Sequence, residues 1–160
     1  MSDVSHPSRV VVAGIGNKYR QDDGAGLAVA RLVSSSSPEI GDVGPLGEPL
    51  DLLGRWDDAD LAIVIDTVRS GAQSGTIRLI ELRESDDPTE EAVSGATSTH
   101  GIGLIGVLRI ARAINRAPHR VVVVAIEGSE FGLGVGLTPE VKRAVTDAAQ
   151  QIIELLEEAA

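Results

Sequence analysis

Cysteine is absent from this 160-residue chain. That absence excludes disulfides, thiolate nucleophiles, cysteine-bound zinc and iron–sulfur ligation together. Aromatic residues are nearly missing as well: they make up 2% of a chain that is 42% hydrophobic, with one Trp, one Tyr and one Phe. The core must therefore be built from Val, Ile, Leu and Ala. Basic residues are scarce, 14 against 24 acidic ones, for a net charge of -10. Such a surface repels phosphate backbones and anionic membranes, and it favours, if anything, a basic peptide partner. No apolar run approaches the roughly 20 residues of a membrane helix. Met1 to Ser8 is polar and carries no apolar signal segment, so these residues are expected to form a flexible tail. The expectation is one cytoplasmic domain over residues 1–160, with a monomer plausible.

What is present is an alternation of β-branched apolar runs with helix-period segments, the pattern of an α/β chain with a largely parallel, doubly covered sheet. Arg9 to Ile15 reads as the first strand and Asp23 to Val33 as a helix with acidic residues in its first turn. A weak strand is expected at Ile40 to Val43. Pro49 to Trp56 reads as a short helix with Leu50, Leu53 and Trp56 on one stripe. Strands follow at Leu61 to Val68 and Gly75 to Leu82. Arg83 to Thr99 lacks periodicity and reads as a long polar loop. A helix is expected from His100 to Ala117, a strand at Arg120 to Glu127, and a final helix opening on Thr138-Pro139-Glu140.

Three separated residues fall where such a chain gathers its loops. Asp23 follows the first strand, Asp66 ends a fully apolar strand, and His100 precedes a helix that feeds another strand. Open α/β sheets bind ligands beyond the carboxyl ends of their strands, at the point where strand order reverses. Right-handed crossovers make the first strand and the Leu61 strand neighbours there. Two carboxylates and an imidazole form a mixed O/N ligand set for a borderline divalent metal. Each residue also has a plainer role open to it: Asp23 as a helix cap, Asp66 as a strand terminator, His100 as a helix-start residue. His6 and His119 receive no assignment.

Other motifs fail on spacing. Gly14-x-Gly16 lacks the third glycine of a dinucleotide turn, because seven residues intervene before Gly24. Glu127 to Gly134 lacks the Gly-x-Ser-x-Gly spacing of a nucleophile elbow, so Ser129 is read as part of a flexible loop that can line a groove, with Phe131 its one aromatic anchor. No His-Glu-x-x-His is present.

Gly14-Ile15-Gly16-Asn17 followed by Asp22-Asp23-Gly24-Ala25-Gly26 resembles the opening signature of the hydrogenase maturation proteases. Ile65-Asp66-Thr67-Val68, Ser98-Thr99-His100, Ile126-Glu127-Gly128 and Leu137-Thr138-Pro139-Glu140-Val141 are similar to later motifs of that family, in order and over nearly the whole chain. The resemblance implies a three-layer α/β/α sandwich around a twisted five-stranded, mostly parallel sheet, with the Gly75 strand antiparallel. It implies an endopeptidase that removes the C-terminal extension of a [NiFe] hydrogenase large-subunit precursor. Asp23, Asp66 and His100 would grip nickel carried by that substrate, with no organic cofactor and no permanent zinc. Asp23 stands where many relatives have Glu. Asp22 would support the metal ligands from behind, be an alternative ligand, or act as the general base. The glycine–threonine motif of many relatives is replaced here by Gly47 to Leu53. Two other readings remain: a non-enzymatic metal- or partner-binding module of the same fold, and a peptidyl-tRNA hydrolase-like esterase, which the acidic surface and Gln21-Asp22-Asp23 oppose.

Overall fold

A computed structural model describes residues 8–40, 43–84 and 103–159. Five strands form one sheet in the order β2-β1-β3-β5-β4: β1 Val10–Ile15, β2 Val43–Leu46, β3 Leu61–Val68, β4 Ile77–Arg83 and β5 Arg120–Glu127. Four strands are parallel, and β4 joins β5 antiparallel, with Leu79 opposite Val124. β4 does not pair with β3, the strand before it in sequence. Strand order reverses at β1, so the β1–β3 border is the switch point.

The apolar runs of β1, β3 and β5 alternate between two cores. Val11, Ala13, Ala62, Val64, Val121 and Val123 face one core, which is closed by α2 (Leu52–Arg55) and α3 (Leu104–Ala113). Val12, Ile63, Ile65, Val122 and Val124 face the other, against α1 (Ala25–Ser36) and α4 (Pro139–Ala159). The result is an α/β/α sandwich. Both sheet faces are covered, which is why these strands read as continuous apolar runs. Among the described residues no helix is long and apolar enough to cross a membrane.

Several sequence boundaries shift, each for a local reason. The weak strand is Val43–Leu46, four residues containing Pro45. Proline is tolerated there because β2 is an edge strand and needs no amide on its open side. Residues 49–51 form a 3-10 turn before α2, so the helical stripe changes register. Leu52 and Trp56 are buried, while Leu50 is exposed. Arg83 belongs to β4, and residues 85–99 of the expected loop lie outside the described residues. Helix α3 starts at Leu104 behind Gly103 in an extended conformation, so His100 does not open it. His100 itself lies outside the described residues, as does His6.

The glycines that fail as a nucleotide fingerprint have a packing role. A Cβ on Gly14 would stand 2.0 Å from the carbonyl oxygen of Gly26. One on Gly26 would stand 2.6 Å from the Ile15 oxygen and 2.7 Å from the Ile65 oxygen. The start of α1 therefore lies backbone-to-backbone on the β1–β3 border. Gly26→Ala should force this helix off the sheet and destabilise the fold by about 3 kcal/mol, as overpacking does. Urea unfolding checks this; an unchanged midpoint would show that the helix start has room to give.

Candidate active site

The close seating of α1 fixes the path of residues 16–24, which cross the carboxyl edge of the sheet. A 3-10 turn, Gln21–Gly24, leads into the helix. Neither aspartate in it caps a helix by a side-chain hydrogen bond. The Asp23 carboxylate instead reaches back, accepting the Asn17 amide on Oδ2 at 2.9 Å, while the Asp23 carbonyl accepts the same amide at 3.2 Å. The capping role open to Asp23 is thus not the one it takes.

Asp66 ends the buried part of β3, opposite Ala125 of β5. Strand alternation puts it on the same face as Ala62 and Val64, the face covered by α3. Its Oδ1 accepts the amide of Thr67 at 2.9 Å. Thr67 then ties the two acidic segments together, its hydroxyl donating to the Asp22 carbonyl at 3.0 Å. Asp23 and Asp66 are both buried, 1% and 8% exposed, and the carboxylate-bearing turn lies against the end of β3. Both residues lie at the carboxyl edge of the β1–β3 border. Helix α3 points its first turn toward the same edge. At its far end Arg112 donates to the Arg83 carbonyl, and Arg83 pairs with Arg120 at the amino end of β5.

Of the roles open to Asp22, its hydrogen bonds favour support of its neighbours over metal ligation or base catalysis. Its side chain has no solvent exposure. Oδ2 accepts the amides of Ser129 and Glu130, both at 3.0 Å, and Oδ1 accepts the amide of Thr138 at 2.8 Å. The hydroxyls of Ser129 and Thr138 also donate to it. A carboxylate so occupied has no lone pair left to ligate a metal or take a proton from water, so Asp22 is a structural anchor. Burial alone would raise its pKa. The amides of Glu130, Ser129 and Thr138 and the Thr138 hydroxyl outweigh burial and hold it below the ordinary carboxylate range.

Glu127, Arg69 and Phe131 complete the rim, and the roles of Glu127 and Arg69 were not read from the sequence. Glu127, buried at the end of β5, accepts the Ser70 amide at 2.8 Å, the Ser70 hydroxyl at 2.6 Å and the Gly71 amide at 3.1 Å, closing the turn after β3. Phe131 is buried under the guanidinium of Arg69, which sits 4.5 Å from the ring centre. The loop read as flexible is therefore pinned at Ser129, Glu130, Phe131 and Thr138. The available signal was an acid ending an apolar strand, which Glu127 shares with Asp66. His119 lies elsewhere, exposed beside Glu84 at 2.6 Å.

Among the described residues, no group of three or more His, Cys, Asp or Glu is arranged to hold a metal. Of the residues expected to hold an ion, Asp23 and Asp66 fall among the described residues.

The anchor gives a pH prediction. The native pKa of Asp22 lies below the unfolded value, so its stabilisation is full above the unfolded carboxylate range, about 3.9, and is lost as pH falls through the depressed native value. Asp22→Asn places an amide among donors and should cost about 3 kcal/mol at pH 7. It should also remove that part of the acid-side loss of stability. Thermal unfolding across pH checks both, and equal midpoints for the two proteins would remove Asp22 as an anchor.

Against known proteins, the model of the hydrogenase maturation protease family matches residues 36–155. The Hydrogenase 2 maturation protease of Escherichia coli K12 is 26% identical over 94% of this chain and 92% of its own. A hydrogenase expression/formation protein of Rhodobacter capsulatus is 30% identical over 94% of this chain and 72% of its own length. Among solved structures, a [NiFe] hydrogenase maturation protease from Thermococcus kodakarensis superposes with a TM-score of 0.73 at 26% identity, covering 92% of this chain and 98% of that one. A hydrogenase 2 maturation peptidase from a Thaumarchaeota archaeon gives 0.68 at 28% identity, over 94% and 99%. The chain that seats Asp23 beside the end of β3 is a peptidase and belongs to the hydrogenase maturation protease family.

Proposed function

We propose that this peptidase removes the C-terminal extension of a nickel-loaded [NiFe] hydrogenase large-subunit precursor, with Asp23, Asp66 and His100 gripping the nickel that the substrate carries. The observation that carries the reading is the double tether at the switch point. Thr67 holds the Asp22–Asp23 turn to the end of β3, and Asn17 turns the Asp23 carboxylate back toward that edge. Helix α3 begins at the same edge, and His100 precedes its cap, Gly103, by only three residues. Such a length of chain spans at most about 10 Å.

Oxygen ligands joined by one imidazole suit a borderline divalent ion, and a ligand set completed by the substrate's own metal makes loading a condition of cleavage. The bound ion supplies Lewis-acid polarisation of the scissile carbonyl, or a more acidic attacking water. The chain's own residues hold the two carboxylates at the carboxyl edge of the β1–β3 border. Their backbone donors, Asn17 and Thr67, keep each carboxylate in one orientation. Asp22 is left out of the chemistry because its oxygens are already occupied. The base that accepts the water proton is one of the two remaining carboxylates.

The non-enzymatic module and the esterase drop out with family membership. Asp66→Asn and His100→Ala should each reduce trimming of a nickel-loaded precursor by at least about a thousandfold, as loss of a charge-stabilising group does in comparable sites. Thermal midpoints should remain near the parent's. A gel-shift assay of the precursor reads the trimming, and thermal unfolding reads the midpoints. Trimming at parent rates by either variant would remove that residue from the site, and failure of the parent to trim would overturn the function.

A further inference from the structure

The most exposed large apolar side chains among the described residues sit together on a rigid lip beside the site. Leu133 is 91% exposed, Val135 77% and Tyr19 58%. Apolar side chains in solvent are unremarkable when single or on mobile chain. These three are neither. The Gly134 amide donates to the Tyr19 carbonyl at 2.9 Å, and the Gln21 amide donates to the Gly134 carbonyl at 3.0 Å, so the segments carrying them form a short two-stranded bridge. Asp22 anchors one side of the 128–138 loop through Ser129 and Glu130 and the other through Thr138. Backbone order is thus imposed on a loop whose apolar side chains gain no burial from it. A clustered, rigidly presented patch marks an interaction surface.

Charge says what kind of partner fits. The chain carries 24 acids against 14 bases, yet this rim displays Lys18, Arg31 and Arg69. Among the described residues none of these three forms an ion pair. Lys18 lies 5.1 Å from the centre of the Tyr19 ring, and Arg69 lies over Phe131. The loop's own acid is Glu130. Beside the lip a cavity of about 170 Å³ opens between Lys18, Leu27, Arg31, Val135 and Leu137. That is below the roughly 300 Å³ at which small-molecule sites begin, and it suits one side chain of a docked peptide.

We propose that this lip docks the stretch of the precursor beside the cleaved bond, through an apolar side chain set in the cavity and acidic residues paired with Lys18, Arg31 and Arg69. The inference rests on the proposed function. It opposes the basic partner that net charge alone favours, because the rim's buried acids are occupied by backbone donors while Lys18, Arg31 and Arg69 face outward. The lip adjoins the Asp22–Asp23 turn, so a segment held there passes over the site.

The test pairs binding with cleavage. A nickel-loaded precursor immobilised on a biosensor is titrated with the parent, with Leu133→Asp/Val135→Asp and with Lys18→Glu/Arg31→Glu, and trimming is measured separately in solution. Both double variants should weaken binding at least tenfold and raise KM with kcat within twofold of the parent. The charge variant should also flatten the decline of binding with salt. Unchanged affinity in both variants, or no parent binding, overturns the docking surface. Parent binding without trimming, lost in the variants, overturns the proposed function and leaves the docking surface standing. Sedimentation of the free protein closes the remaining route: a parent dimer that becomes monomeric in Leu133→Asp/Val135→Asp would assign the lip to a second copy and overturn the proposal.

Discussion

One buried carboxylate organises the functional edge of this protein. Asp22 has no solvent exposure and collects the backbone amides of Ser129, Glu130 and Thr138. The 3-10 turn before α1, the loop after β5 and the start of α4 are thereby locked to one point. Desolvating a carboxylate is costly, and only a full set of donors offsets it. Once that set is complete, the neighbouring residue has little freedom. Asp23 is carried to the end of β3, where the Thr67 hydroxyl fixes the turn from the other side. The acid saturated by backbone donors positions the acid proposed to meet the ion.

The second constraint is steric. Gly14 and Gly26 allow the first turn of α1 to rest directly on the β1–β3 border, with carbonyl oxygens where side chains would otherwise stand. Helix and sheet are then close enough for their terminal residues to share one small volume. Glu127 repeats the logic on the neighbouring strand by closing the turn after β3 with three donors. The rim is stiff because its acids are saturated by backbone, and it presents apolar and basic side chains outward for the same reason.

Much of this was legible in the residues. Continuous apolar runs in Val10–Ile15, Leu61–Val68 and Arg120–Glu127 disclosed a doubly covered parallel sheet, and an aspartate closing such a run disclosed the edge that matters. Other features were illegible for physical reasons. Asp22 and Asp23 are adjacent and chemically identical, and only partners more than 100 positions away single out Asp22 as the anchor. The strand at Val43–Leu46 was displaced because Gly44-Pro45 carries turn propensity, which an edge position overrides. A 3-10 turn shifted the stripe of residues 49–56, since its period differs from that of an α-helix. The loop after β5 looked mobile because glycine content reports backbone freedom and not the hydrogen bonds that remove it.

The account stands on Asp23 and Asp66 sharing one ion with His100. Anomalous diffraction from crystals soaked in nickel tests this most directly. The account predicts a single strong peak at the carboxyl edge of β1 and β3, with an oxygen of each aspartate and a ring nitrogen of His100 at about 2.0–2.2 Å, the range of comparable divalent sites. A peak elsewhere, with the two carboxylates too far apart to reach a common ion, would contradict it.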